Sequence, residues 1–182
     1  MNMLSGNAKY IDVLERSLYN GALDGLSLSG DRFFYGNPLA SSGNYSRSEW
    51  FGTACCPSNI ARLVSSLGNY IYGTSNDAVW VNLFAGSHTT VQLNKNKVNL
   101  TMETGYPWRG NVKLVVSPVK KQQFELRIRI PGWLSTPAPG NLYRYETPEA
   151  DILEIKVNGI PAQYTVDRGY AVIKQVWKKG DI

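Results

Sequence analysis

No stretch of the 182 residues approaches 18 consecutive apolar side chains, so nothing in the sequence reads as a membrane-spanning helix. The opening Met1-Asn2-Met3-Leu4-Ser5-Gly6-Asn7-Ala8-Lys9-Tyr10 also lacks the apolar run of a signal peptide. That leaves the compartment open between cytoplasm and periplasm. Cysteine is nearly missing: the chain has two, adjacent at Cys55 and Cys56. A disulfide between neighbours is strained, so no disulfide framework is encoded, and two free sulfurs lean toward reducing surroundings unless metal holds them. The single histidine, His88, reads as an exposed turn residue. Charge of one sign is not concentrated either. Nineteen Lys and Arg against fourteen Asp and Glu give +5 and a pI near 9.2. The basic residues are dispersed, however, into short groups such as Lys95 with Lys97, Lys120-Lys121 and Lys178-Lys179, which argues against a nucleic-acid surface.

A hydrophobic content of 43% lets the chain bury a sizeable core, as one large or two small domains. Tyr10, Ile11, Val13, Leu14, Leu18 and Tyr19 fall on one side of a helix, with Asp12 and Glu15 near its start and Gly21 beyond its end. Leu26-Ser27-Leu28, the turn Ser29-Gly30-Asp31 and Arg32-Phe33-Phe34-Tyr35 suggest a small hairpin, followed by a polar loop from Ala40 to Glu49. From Asn69 onward the period changes to two. Ala78 to Phe84, Thr89 to Leu93, Val98 to Met102, Val112 to Val116, Phe124 to Ile130, Ile152 to Val157 and Gly169 to Ile173 read as short strands between turn clusters. Their spacing predicts an antiparallel β-sandwich after a helical half. The boundary falls near residues 69 to 77, dividing the chain into 1–72 and 73–182. Two helices and a hairpin cannot close a core by themselves, and the last residues stop at a turn, so the chain is expected to be part of a larger protein.

The two cysteines sit in Trp50-Phe51-Gly52-Thr53-Ala54-Cys55-Cys56-Pro57-Ser58-Asn59. Pro57 suits the first position of a helix that Ile60, Leu63, Val64 and Leu67 continue as far as Gly68. This puts Cys56 at the N-cap and Cys55 just outside, where unpaired amides and the helix dipole favour a thiolate. A thiolate is a nucleophile and a soft metal ligand, whereas a structural cysteine is a small buried hydrophobe. Packing alone predicts no particular flank. The adjacency, the helix start and the aromatic approach favour chemistry.

Several ordered segments resemble the β-L-arabinofuranosidases of glycoside hydrolase family 127. They are Tyr10-Ile11-Asp12-Val13-Leu14-Glu15-Arg16, Gly30-Asp31-Arg32-Phe33-Phe34-Tyr35 with Asn37-Pro38-Leu39, and Cys55-Cys56-Pro57 with Asn59-Ile60-Ala61-Arg62. The likeness continues through Val81-Asn82-Leu83-Phe84, Tyr106-Pro107-Trp108, Leu126 to Trp133, Val157-Asn158-Gly159, Gly169-Tyr170 and Trp177-Lys178-Lys179-Gly180-Asp181. It implies mixed α and β architecture: the last part of an (α/α)6 toroid, then the first β-sandwich. It further implies a zinc ion held by a glutamate and three cysteines. By motif, Cys55 is nucleophile and ligand, Cys56 a second ligand, and Tyr35 the substrate contact, although the Phe33-Phe34-Tyr35 run equally suits a core aromatic. The family's acid/base glutamate and its Glu-x-Cys pair would precede Met1, so the isolated chain is expected to be inactive. Ser58 replaces a second proline common after the cysteine pair, and Arg62 has the placement to orient a carboxylate or join a surface salt bridge. The implied partner is an arabinose-containing glycan, not nucleic acid or membrane, with a homodimer left open. Two other readings stand beside this one: a noncatalytic carbohydrate-binding module using Trp80, Trp108 and Trp133 as a stacking platform, and a structural zinc-binding interaction domain.

Overall fold

The computed structural model describes residues 1–36, 38–53, 55–134 and 153–182. The chain divides into two compact units, one of Met1–Asp12 with Gly68–Ile182 and one of Val13–Leu67. In chain order the helices are α1 (Asn2–Ser5), α2 (Lys9–Ser17), α3 (Cys55–Ser66) and α4 (Gly68–Ile71). No helix among the described residues is long and apolar enough to cross a membrane.

The larger unit is built on strands β1 (Tyr72–Thr74), β2 (Ala78–Val81), β3 (Ser87–Leu93), β4 (Asn96–Thr104), β5 (Val112–Pro118), β6 (Gln122–Arg129), β7 (Lys156–Val157), β8 (Ile160–Pro161), β9 (Thr165–Asp167) and β10 (Tyr170–Trp177). They form a five-stranded sheet in the order β1-β2-β6-β10-β9, a three-stranded sheet β3-β4-β5 and the pair β7-β8. Alternation sets the faces: on β4, Val98, Leu100 and Met102 are buried while their neighbours are not. β10 instead buries Tyr170 through Ile173 in succession, as expected of a strand covered on both faces. Each such apolar side chain contributes about 1.5–3 kcal/mol on burial. Residues of both sheets, including Leu114, Val116, Leu126, Ile128 and Ile173, line a cleft of about 660 Å³.

Among the described residues, pairing is antiparallel with one exception. β2 and β6 run parallel, with Ala78 opposite Glu125 and Val81 opposite Ile128, so the larger sheet is mixed. Alternation fixes which face a residue takes but carries no sign for strand direction, which explains the departure from a wholly antiparallel expectation. The expected strand from Ile152 shortens to Lys156–Val157, and Ile152 itself lies outside the described residues. The Asn158-Gly159 turn has φ of 53° and 81°, as a two-residue type I′ hairpin requires. His88 lies on β3 rather than in a turn; it is exposed, and its Nδ1 pairs with the Thr101 hydroxyl at 2.9 Å.

The segment Met1–Asp12 packs against this sheet. Ala8 and Ile11 are buried, and the Ala8 N–H donates to the Arg168 carbonyl at 2.9 Å. Gly169 lets the chains approach: a Cβ there would meet the Ala8 Cβ at 2.7 Å, and its φ is +83°. Arg129, whose side chain is fully buried, donates to Asp12 Oδ1 at 2.7 Å and to the Asn82 carbonyl at 2.6 Å. Asp12 also accepts the Gly132 N–H at 3.1 Å. A residue that reads in sequence as an ordinary helix-start acid is thus the counter-ion of a buried guanidinium.

The smaller unit departs from its expected outline in one place. α2 does not stop at Gly21 but runs into a π-turn at Leu18–Ala22 and a 3-10 turn at Leu23–Gly25. The expected hairpin is present in minimal form: Leu26 bridges Phe33, flanked by Ser27 N–H to the Arg32 carbonyl at 2.9 Å and Phe34 N–H to the Gly25 carbonyl at 3.0 Å, and Ser48 of the polar loop pairs with Phe33 on its other edge.

Candidate functional site

Phe33 exchanges backbone hydrogen bonds with Ser48 at 2.8 and 2.9 Å, and the Phe34 N–H donates to the Gly25 carbonyl at 3.0 Å. These fix the extended segment that leads into Tyr35. Arg47 lies over the Phe34 ring at 4.3 Å and donates to the Asp24 carbonyl at 2.6 Å. Tyr45 stacks on Phe34 at 5.0 Å, and its hydroxyl donates to the Gly36 carbonyl at 2.6 Å. Tyr35 itself rests against Phe51, ring centroids 5.5 Å apart.

α3 begins at Cys55, two residues before the expected first helical position. Cys55 and Cys56 are therefore first-turn residues, not cap and flank. Pro57 is tolerated at the third position because the first four N–H groups of a helix have no partner within it. At the other end Gly68 opens α4 instead of closing α3, so the two helices are consecutive, with Leu67 between them.

The turn brings three reactive groups together. Cys55 Sγ lies 3.8 Å from the Tyr35 hydroxyl and 3.8 Å from Cys56 Sγ. Cys55 is exposed and Cys56 half-buried, and both are free thiols. The hydrogen bond from Tyr35 is the main influence holding the Cys55 thiol below its ordinary pKa, with the Cys56 thiol next and the local backbone amides contributing less. The same contacts push Cys56 and Tyr35 upward, since each is a donor to the Cys55 sulfur. The amides of the helix start act as expected, but the neighbouring phenol outweighs them. The Cys55 carbonyl also accepts the Ser58 hydroxyl at 3.1 Å and the Asn59 carboxamide at 2.8 Å, and Arg62 donates to the Asn59 carboxamide oxygen. Arg62 thus turns to an amide rather than to the expected carboxylate.

The two sulfurs suit a shared zinc ion, because thiolates bound at about 2.3 Å in a tetrahedral site lie roughly 3.8 Å apart. Among the described residues no group of three or more His, Cys, Asp or Glu side chains is placed to hold a metal. A tetrahedral site would need two further donors beside these sulfurs.

The tryptophan platform does not assemble around Trp80. Arg127 covers the Trp80 ring at 4.5 Å and Tyr170 meets it edge-on at 4.9 Å, while Trp108 is 92% exposed and Trp133 half-exposed. Trp80 is half-buried, with one ring face taken by the Arg127 guanidinium.

Two family models match the chain. Residues 1–69 match the catalytic domain, and residues 78–182 the middle domain, of the GH127 β-L-arabinofuranosidases. A non-reducing end β-L-arabinofuranosidase of Bifidobacterium longum subsp. longum is 33% identical over 144 residues, covering 71% of this chain and 22% of that protein. A solved GH127 β-arabinofuranosidase superposes with a TM-score of 0.90 at 46% identity, over 99% of this chain and 28% of the other. A GH127 β-L-arabinofuranosidase from Geobacillus stearothermophilus T6 does so with a TM-score of 0.82 at 38% identity, over 100% and 28%. The chain therefore spans under a third of each of these relatives.

Proposed function

The chain belongs to the GH127 β-L-arabinofuranosidase family, and from that premise we propose that it is a segment of a retaining glycoside hydrolase that releases β-L-arabinofuranose from plant-type glycans. On this reading residues 1–72 are the closing part of an (α/α)6 toroid. Residues 73–182 are a β-sandwich whose layers are the five- and three-stranded sheets. Exposed apolar side chains of the smaller unit, among them Leu28, Leu39 and Trp50, suit a segment whose packing partners lie elsewhere in the protein.

Cys55 is the attacking group. Its sulfur bonds to the anomeric carbon as the bond to the leaving oxygen breaks, and that oxygen takes a proton from an acid. Water then displaces the sulfur from the same carbon, giving up a proton to the conjugate base, and the two inversions sum to retention. Tyr35 donates a hydrogen bond to the sulfur, which favours its anionic form, and presents an exposed ring edge to the sugar. Cys55 and Cys56 are two ligands of the zinc ion, whose charge would keep both sulfurs deprotonated. The acid/base and the remaining ligands are assigned to residues outside this chain. The observation that carries the reading is the exposed Cys55 sulfur within 3.8 Å of both a phenol and a second thiol at a helix start.

The test is Cys55→Ala in the intact enzyme with an aryl β-L-arabinofuranoside as substrate. Loss of turnover is expected, and undiminished sugar release overturns the proposal. The 182-residue chain alone is expected to show no turnover.

A further inference from the structure

We propose that Asn59 and Arg62 are positioning residues that hold Cys55 in place for attack and ligation. The inference rests on the functional reading above and concerns residues to which that reading gives no task.

Cys55 is the first residue of α3, where helices fray. Asparagine and serine are poor residues for a helix interior, yet they stand three and four positions after Cys55. Both side chains bend back to the Cys55 carbonyl, Ser58 Oγ at 3.1 Å and Asn59 Nδ2 at 2.8 Å. This is the local back-bonding that otherwise disfavours them in helices. Here it ties down the terminal peptide.

Arg62 determines which way the amide points. A guanidinium carries donors and no acceptor, so it must face the carboxamide oxygen of Asn59, and its hydrogen bond goes there. The carboxamide NH2 is thereby turned toward the Cys55 carbonyl. Without Arg62 the Cys55 carbonyl still selects the NH2 end, but the carboxamide loses the anchor on its oxygen and the side chain is free to leave that carbonyl. The order of dependence runs from Arg62 to Asn59 to the Cys55 peptide, and from that peptide to the Cα–Cβ direction. The spacings of 3.8 Å from Cys55 Sγ to Tyr35 and to Cys56 inherit that direction. A displacement of about 1 Å in a reacting group can cost on the order of 100-fold in rate, so a tether of this kind has kinetic consequences.

The experiment uses the intact enzyme in four forms: wild type, Asn59→Asp, Arg62→Ala and Arg62→Lys. Asn59→Asp keeps an acceptor for Arg62 but removes the donor to Cys55. Arg62→Lys keeps a donor to Asn59. Four quantities are read: kcat and KM on an aryl β-L-arabinofuranoside, zinc retained against a chelator, the alkylation rate of Cys55 in chelator-treated protein, and the thermal midpoint. Asn59→Asp and Arg62→Ala are expected to lower kcat by roughly 10- to 100-fold, with KM within about twofold, and to weaken zinc retention. Arg62→Lys should regain most of the loss. The proposal is overturned if both variants keep kcat within about twofold, if Arg62→Lys is as impaired as Arg62→Ala, or if the losses merely track the thermal midpoint. Should Cys55→Ala retain full turnover, the functional reading fails separately. The alkylation rate then decides alone: altered in Asn59→Asp and Arg62→Ala it sustains the positioning role, and unaltered it ends it.

Discussion

The Tyr35 hydroxyl acts on the Cys55 sulfur more strongly than the helix start does, and this has a measurable consequence in the metal-free chain. Near neutral pH iodoacetamide should label Cys55 ahead of Cys56, because the hydrogen bonds that lower one thiol raise the other. Tyr35→Phe should slow labelling of Cys55 severalfold while leaving the order of the two unchanged, as read by peptide mass spectrometry. Equal labelling of both cysteines would refute the asymmetry. The adjacency of the thiols, their place at a helix start and the candidacy of Tyr35 were all legible in the residues. The approach of Tyr35 to the sulfur was not, since twenty positions separate them and the bonds of Phe33 to Ser48 and of Phe34 to Gly25 set the course of the segment. Ser58, Asn59 and Arg62 were visible as a motif without a mechanism. The signal available was their spacing of three, four and seven from Cys55, which places them on successive turns of one helical side.

Elements were easier to recognise than their joints. Seven alternating runs correspond to the main strands within a few residues, because period two survives in any half-buried sheet. Boundaries moved: α3 began early, α2 ran into a π-turn, and the small hairpin kept one bridge while a distant loop added a second on its outer edge. The docking of Met1–Asp12 gives two predictions at this scale. Asp12→Ala removes an ion-pair partner of the fully buried Arg129 side chain, and should cost about 3 kcal/mol in urea unfolding. Gly169→Ala places a Cβ within 2.7 Å of the Ala8 Cβ at a φ of +83°, and should cost about 2 kcal/mol or more by the same measurement. A midpoint unchanged in either variant would show that the segment is not held as described.

At the scale of the whole molecule, the core of the larger unit carries two phenols whose ionisation opposes folding. Burial is the chief cause that raises Tyr170, and the same cause raises Tyr72. With the folded pKa above the unfolded value of about 10, the folded state keeps a proton that the unfolded chain releases. Stability is therefore full below about pH 10 and falls as pH rises through the raised values. Tyr170→Phe should flatten that decline, at the cost of the hydrogen bond to Asn82 Oδ1 at 2.7 Å, and thermal midpoints between about pH 8 and 11 would reveal it. Sequence by itself determined the family, the change from helical to strand period, seven strand runs, which do not include β1, β8 or β9, and the cysteine pair as the centre of interest. All of these are local in the chain, and local patterns are written in neighbouring residues. Tertiary structure alone decided that β2 runs parallel to β6, that Asp12 pairs with Arg129, that Arg127 lies over the Trp80 ring and that a phenol faces the Cys55 sulfur. Each of these joins residues far apart in the chain, where the energy depends on which surfaces meet in space, and no period or spacing in the sequence records that meeting.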